Sequence, residues 1–145
     1  PGTVDLLGQC TKLTEFNPSK WMVANGLARI CGHCAALYKL DLCEVDEAGD
    51  VLTDKVIAEV AANSPGLQWL SLYGSPTLTG ACLRHLSQYC PHLKTLGFGN
   101  CQHIQLTDNT HDSTHDLTNP PPLLSFPQLI YIDMRSLDAL TETTV

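Results

Sequence analysis

The sequence predicts an α/β solenoid: a right-handed stack of about five strand-helix units, with parallel strands on a concave face and helices on the convex side. Three observations predict it. The pattern Leu-x-x-Leu-x-Leu-x-x-(small or apolar) returns five times along the 145 residues. Apolar residues spaced three apart, the stripe of an amphipathic helix, lie between successive copies. Thr, Pro and Gly stand where those helices would start and stop.

In chain order the copies are Leu13, Phe16, Pro18, Trp21; Leu37, Leu40, Leu42, Val45; Leu67, Leu70, Leu72, Ser75; Leu93, Leu96, Phe98, Cys101; and Leu129, Ile132, Met134, Leu137. They predict strands near 13–19, 37–43, 67–73, 93–99 and 129–135. Their first residues are 24, 30, 26 and 36 apart. These intervals bracket the roughly 20–29 residues of such repeats, and the longest marks a polar insertion at about 105–125. Helices are predicted over 25–30, 55–60 and 81–86. Thr53 and Thr79 offer N-cap hydroxyls, while Ser64-Pro65-Gly66 and Cys90-Pro91 end helices that Pro cannot continue. One unit cannot bury its apolar face alone, so neighbours must stack within a single domain, 1–145. Residues 4–10 read as the tail of an earlier helix and 141–145 stop where a fifth should begin, so the chain is expected to be a slice of a longer array.

Composition narrows the function. A formal charge of -7, from 15 acidic and 8 basic residues, cannot supply the basic stripe that grips nucleic-acid phosphates. No apolar run approaches the roughly 18 residues of a membrane span, and the first residues carry no signal-peptide pattern. Seven cysteines, an odd number set within apolar stretches, predict free thiols in a reducing compartment: cytoplasm, nucleus or an organelle matrix.

The run Cys90-Pro91-His92-Leu93-Lys94-Thr95-Leu96-Gly97-Phe98-Gly99-Asn100-Cys101-Gln102-His103-Ile104, with Thr107-Asp108 beyond, resembles the cysteine-containing leucine-rich repeat. Ser64-Pro65-Gly66-Leu67 and Cys34-Ala35-Ala36-Leu37 are looser copies. The resemblance implies the leucine-rich-repeat right-handed solenoid of the ribonuclease-inhibitor-like superfamily. It further implies a non-catalytic protein-binding module, of the kind that recognises substrates in F-box ubiquitin ligases. No segment of this chain resembles an F-box, and the same repeats also build scaffold and assembly subunits, which is the alternative role.

Period-2 alternation sends the third, fifth and seventh positions of each copy to the concave face, away from the leucines. Those positions are Glu15, Asn17, Ser19; Lys39, Asp41, Cys43; Trp69, Ser71, Tyr73; Thr95, Gly97, Gly99; and Tyr131, Asp133, Arg135. Trp69 and Tyr73 should flank a shallow trough over Thr95, Gly97 and Gly99. Trp, Tyr and Arg are the residue types that dominate binding hot spots. The expected partner-binding set is therefore Trp69, Tyr73, Tyr131, Asp133, Arg135, Lys39 and Asp41, with a protein partner and no cofactor.

Other motifs carry less. Cys31-Gly32-His33-Cys34 spells the tetrapeptide of disulfide isomerases, which leaves a thiol-disulfide enzyme using Cys31 and Cys34 as a remote alternative. It falls at a helix C-terminus, however, where the dipole disfavours a thiolate. A zinc site from Cys31, His33, Cys34 and Cys43 has only one Cys-x-x-Cys to build on. His111, Asp112, His115 and Asp116 have a metal-like spacing that works only on a helix, and their Ser, Thr and Pro surroundings predict a loop.

Overall fold

The computed structural model describes residues 11–18, 24–43, 52–104 and 126–134. Five strands and three helices follow one another along the chain: β1 (Glu15–Phe16), α1 (Ala24–His33), β2 (Lys39–Asp41), α2 (Asp54–Asn63), β3 (Trp69–Ser71), α3 (Gly80–Tyr89), β4 (Thr95–Gly97) and β5 (Tyr131–Asp133). The strands form one parallel sheet in sequence order.

The sheet register reproduces the repeat alignment residue for residue. Glu15, Lys39, Trp69, Thr95 and Tyr131 pair across all five strands, as do Phe16, Leu40, Leu70, Leu96 and Ile132. A slip of one residue would turn every leucine out of the core, so burial locks the register. The regular strands occupy two or three residues of each seven-residue apolar run. Backbone pairing nonetheless extends past them. At the entry end Gln68 N donates to Tyr38 O and Lys94 N to Gln68 O, both at 2.8 Å, and at the exit end Leu42 N donates to Ser71 O at 2.8 Å and Leu72 N to Gly97 O at 2.7 Å.

Helices α2 and α3 begin where hydroxyls can satisfy open N–H groups. Thr53 accepts from Val56 N at 3.4 Å and Thr79 from Ala81 N at 3.2 Å. The Asp54 carboxylate, favourably placed at the positive end of α2, also accepts from Thr79 N at 2.9 Å and Thr79 Oγ1 at 2.7 Å. The start of one helix thus holds the start of the next. Each helix ends on the same backbone turn: Leu37 N donates to Cys34 O, Leu67 N to Ser64 O and Leu93 N to Cys90 O, at 2.9–3.1 Å. Beyond β3 and β4, Gly74 and Asn100 occupy the same repeat position with φ of 78° and 59°. A residue without a side chain and one with a short amide are the two that tolerate this left-handed turn.

The core fills the space between sheet and helices. Columns of Leu37, Leu67 and Leu93, of Leu40, Leu70 and Leu96, and of Leu42, Leu72 and Phe98 are sealed from solvent, with Ile30, Ile57, Val60, Leu83 and Leu86 meeting them from the helices. Each such side chain contributes about 1.5–3 kcal/mol on burial. Trp21, Val45, Leu137, Ser19 and Arg135 lie outside the described residues, as do the expected helix tail at 4–10 and the polar insertion at 105–125.

Candidate partner-binding face

The sheet face turned away from the helices carries three rows of side chains. The first runs Glu15, Lys39, Trp69, Thr95, Tyr131; the second runs Asn17, Asp41, Ser71, Gly97, Asp133; the third includes Cys43, Tyr73 and Gly99. Six of the seven expected binding residues therefore share one face: Lys39, Asp41, Trp69, Tyr73, Tyr131 and Asp133. Arg135 is the seventh.

Side chains on this face are tied strand to strand. Tyr38 donates its hydroxyl proton to Glu15 Oε1, and Lys39 Nζ lies 3.1 Å from Glu15 Oε2. The same ammonium stands 5.3 Å from the centroid of the Trp69 ring, a cation–π arrangement. One row lower, Asn17 Nδ2 donates to Asp41 Oδ2 at 3.2 Å, while Asp41 Oδ1 accepts from Cys43 N at 3.2 Å. Cys43 Sγ is 2.9 Å from Ser71 Oγ.

The trough expected along β4 is more closed than the alternation implied. Ser71, Gly97 and Gly99 are buried, although all three belong to the outward positions. A Cβ on Gly97 would stand 3.5 Å from Ser71 Oγ and 3.7 Å from Asp133 Cβ, so the flanking side chains already close over the glycine. Small residues between larger neighbours lose exposure whichever way they point. Trp69 and Tyr73 are half-buried, while Tyr131 is exposed at 55%.

The pattern also passed over two residues at its second position. Tyr38 is the hydroxyl that holds Glu15, and Ile130, at 82% exposure, is the most exposed large apolar residue described. The repeat alignment itself marks this position, since Tyr38, Gln68, Lys94 and Ile130 all serve the entry ladder.

Glu15 is held below the usual carboxylate range, first by the Tyr38 hydrogen bond and then by Lys39. That interaction is complete above the unfolded-state value and disappears as pH falls through the lowered folded value. Tyr38→Phe and Lys39→Ala should each raise the Glu15 pKa, and NMR titration of the Glu15 side-chain carboxyl measures both. An unchanged midpoint in Tyr38→Phe would remove the hydrogen bond from this account.

The six described cysteines are free. Burial pushes the Cys31 thiol up to about 11 and that of Cys90 to about 12, and raises that of Cys82 as well. At neutral pH a thiol with such a value is about one part in ten thousand thiolate, the opposite of an activated nucleophile. Cys31 and Cys34 are both sealed in the core, which leaves the thiol-disulfide reading without a reactive sulfur. Cys90 Sγ lies 3.8 and 3.7 Å from the carbonyls of Ala61 and Ser64, and Cys101 Sγ donates to Leu72 O at 3.0 Å. His33 Nδ1 meets Arg29 O at 2.7 Å. Among the described residues no group of three or more His, Cys, Asp or Glu converges as a metal set would. Brief iodoacetamide labelling of the native protein, read by mass spectrometry, should modify half-exposed Cys43 before Cys31, Cys82 or Cys90. Early labelling of Cys31 would contradict this order.

Among the described residues no helix is long and apolar enough to cross a membrane. No protein-family model matches the chain, and no curated protein matches it by sequence. Solved structures do match. The C-terminal domain of tropomodulin from Caenorhabditis elegans superposes with a TM-score of 0.60 at 14% identity, over 96% of this chain and 83% of that one. TLR13, solved in complex with ssRNA13, superposes with a TM-score of 0.56 at 16% identity. That match spans 90% of this chain and only 20% of TLR13. At such identities the likeness speaks for fold alone, and with the parallel sheet, its register and its flanking helices it shows that this chain has the leucine-rich-repeat fold.

Proposed function

We propose that the chain is a protein-binding leucine-rich-repeat module that holds its partner against the concave sheet face, through Lys39, Asp41, Trp69, Tyr73, Tyr131, Asp133 and Arg135. The observation that carries this reading is the alignment of Lys39, Trp69 and Tyr131 in one cross-strand row, with Tyr73 half-exposed beside it. Aromatic side chains there bring large contact area at low entropic cost, and the polar ties from Glu15 and Asn17 hold the first strands in place.

Within that function, the role we propose is substrate recognition of the type performed by the repeats of F-box ubiquitin ligases, in a reducing intracellular compartment. Free, packed cysteines at repeat positions support the cysteine-containing class of repeat. Affinity purification of the natural full-length protein tests both levels. Partner capture should fall at least about tenfold in a Trp69→Ala, Tyr73→Ala double variant, the scale of one or two hot-spot residues. Ligase scaffold subunits should accompany the wild type. Undiminished capture by the double variant would sink the face, whereas a stable complex free of ligase subunits would replace the receptor role with that of an assembly subunit.

A further inference from the structure

The sheet repeats the same two sets of backbone bonds from strand to strand, and one of its joints is chemically incomplete. At the entry end Thr14 O accepts from Tyr38 N and Lys39 N, as Tyr38 O does from Gln68 N and Trp69 N, Gln68 O from Lys94 N and Thr95 N, and Lys94 O from Ile130 N and Tyr131 N, all at 2.8–3.2 Å. At the exit end the donor is always the residue at the third leucine position: Leu42 N to Ser71 O, Leu72 N to Gly97 O and Phe98 N to Asp133 O, at 2.7–2.9 Å. The first repeat has Pro18 in that position, and proline has no N–H. Asp41 O, the acceptor that the register sets opposite it, gets no such bond from the first repeat.

Side chains take over part of the lost connection. Asn17 Nδ2 donates to Asp41 Oδ2 at 3.2 Å, the Tyr38 hydroxyl donates to Glu15, and Lys39 Nζ stands 3.1 Å from Glu15 Oε2. Glu15 and Asn17 are exposed, where water and salt compete for such contacts and each contributes little. The packing is looser as well. Leu13 and Phe16 are only partly buried, whereas Leu37 and Leu40, their counterparts in the second repeat, are sealed. β1 pairs with β2 through two residues, while each later pair of strands uses three.

We propose that β1 is a releasable strap, which opens from β2 as a unit while β2 to β5 stay paired. Local opening follows the element with the fewest protected hydrogen bonds and the least buried apolar surface, and β1 is short of both. β5, at the opposite end of the described sheet, keeps its exit bond from Phe98 N, so the two outer strands should behave differently. Opening carries Glu15 away from the Tyr38 hydroxyl and from the Lys39 ammonium. Lys39 then stands 5.3 Å from the centre of the Trp69 ring without its carboxylate partner. The strap thereby sets whether the cation in the cross-strand row is paired or bare. The opening is a property of the chain alone and does not depend on the binding reading.

Hydrogen exchange of single amides, followed by NMR, tests this with equivalent bonds of the same sheet as references. Corrected for intrinsic rates, the amides of Tyr38 and Lys39 should exchange about tenfold faster than those of Gln68 and Trp69, and faster than those of Ile130 and Tyr131. Pro18→Ala returns a donor without adding bulk, and Pro18→Leu also restores the residue usual at that position. Either should narrow the ratio of the Lys39 to the Trp69 rate about fivefold, and a ratio taken within one variant cancels changes in global stability. Asn17→Ala, which cuts the side-chain tie to Asp41, should widen it about twofold. Protection of Tyr38 and Lys39 equal to that of Gln68 and Trp69 would overturn the strap. So would exchange there no faster than at Ile130 and Tyr131, which is ordinary fraying of an outer strand, or a ratio that neither Pro18 variant changes.

Discussion

Phe98→Ala is expected to cost about 3–5 kcal/mol, the range for emptying the site of a buried aromatic ring, and to lower the melting temperature by roughly 10 °C. Phe98 is the largest fully buried side chain described, at 0% exposure. It occupies the place that Leu42 and Leu72 hold in earlier repeats, and its N–H donates to Asp133 O at 2.9 Å. The backbone on both sides is therefore pinned by the sheet ladder and cannot collapse into the void. Two controls bracket the effect. Phe98→Leu restores the repeat's usual residue and should cost no more than about 1.5 kcal/mol, whereas Ile130→Ala, at 82% exposure, should fall within about 0.5 kcal/mol of the wild type. Thermal and urea melts of the three variants decide it. A Phe98→Ala loss below that of Phe98→Leu would mean the ring is not packed as described.

The leucine spacing alone makes the sheet register readable, because a buried leucine fixes which way its strand faces and neighbouring repeats must agree. Thr53 and Thr79 were readable for a similar local reason: a hydroxyl before an apolar stripe has open N–H groups within reach. The face was less legible. Alternation places Ser71 and Gly97 outward, but their burial depends on side chains from adjacent strands, 28 and 36 residues away at Cys43 and Asp133. The Tyr38–Glu15 hydrogen bond likewise joins residues 23 apart, and no periodicity encodes a side-chain reach of that kind. Sequence spacing foretells which residues share a face; the packing between neighbours decides which of them a partner can touch.

That distinction yields the second large effect. Ser75 is 1% exposed, and its Oγ has no hydrogen-bond partner. An unmet buried hydroxyl costs about 1–3 kcal/mol. The next repeat places Cys101 at the same position, with its thiol donating at 3.0 Å to the carbonyl of Leu72. Translated back by one repeat, that acceptor is Leu42 O, so Ser75→Cys puts a larger, softer donor into a slot whose neighbour already takes one. A sulfur is also less costly than an oxygen to leave without a full partner, since a free cysteine packs as a small hydrophobe. We expect Ser75→Cys to stabilise the fold by about 1–2 kcal/mol, and Ser75→Ala, which removes the hydroxyl without refilling its volume, by less. Urea unfolding of both under reducing conditions measures the difference. A destabilised Ser75→Cys variant would show that the pocket at Ser75 is too small for sulfur, and that the two repeats differ in packing where their sequences align.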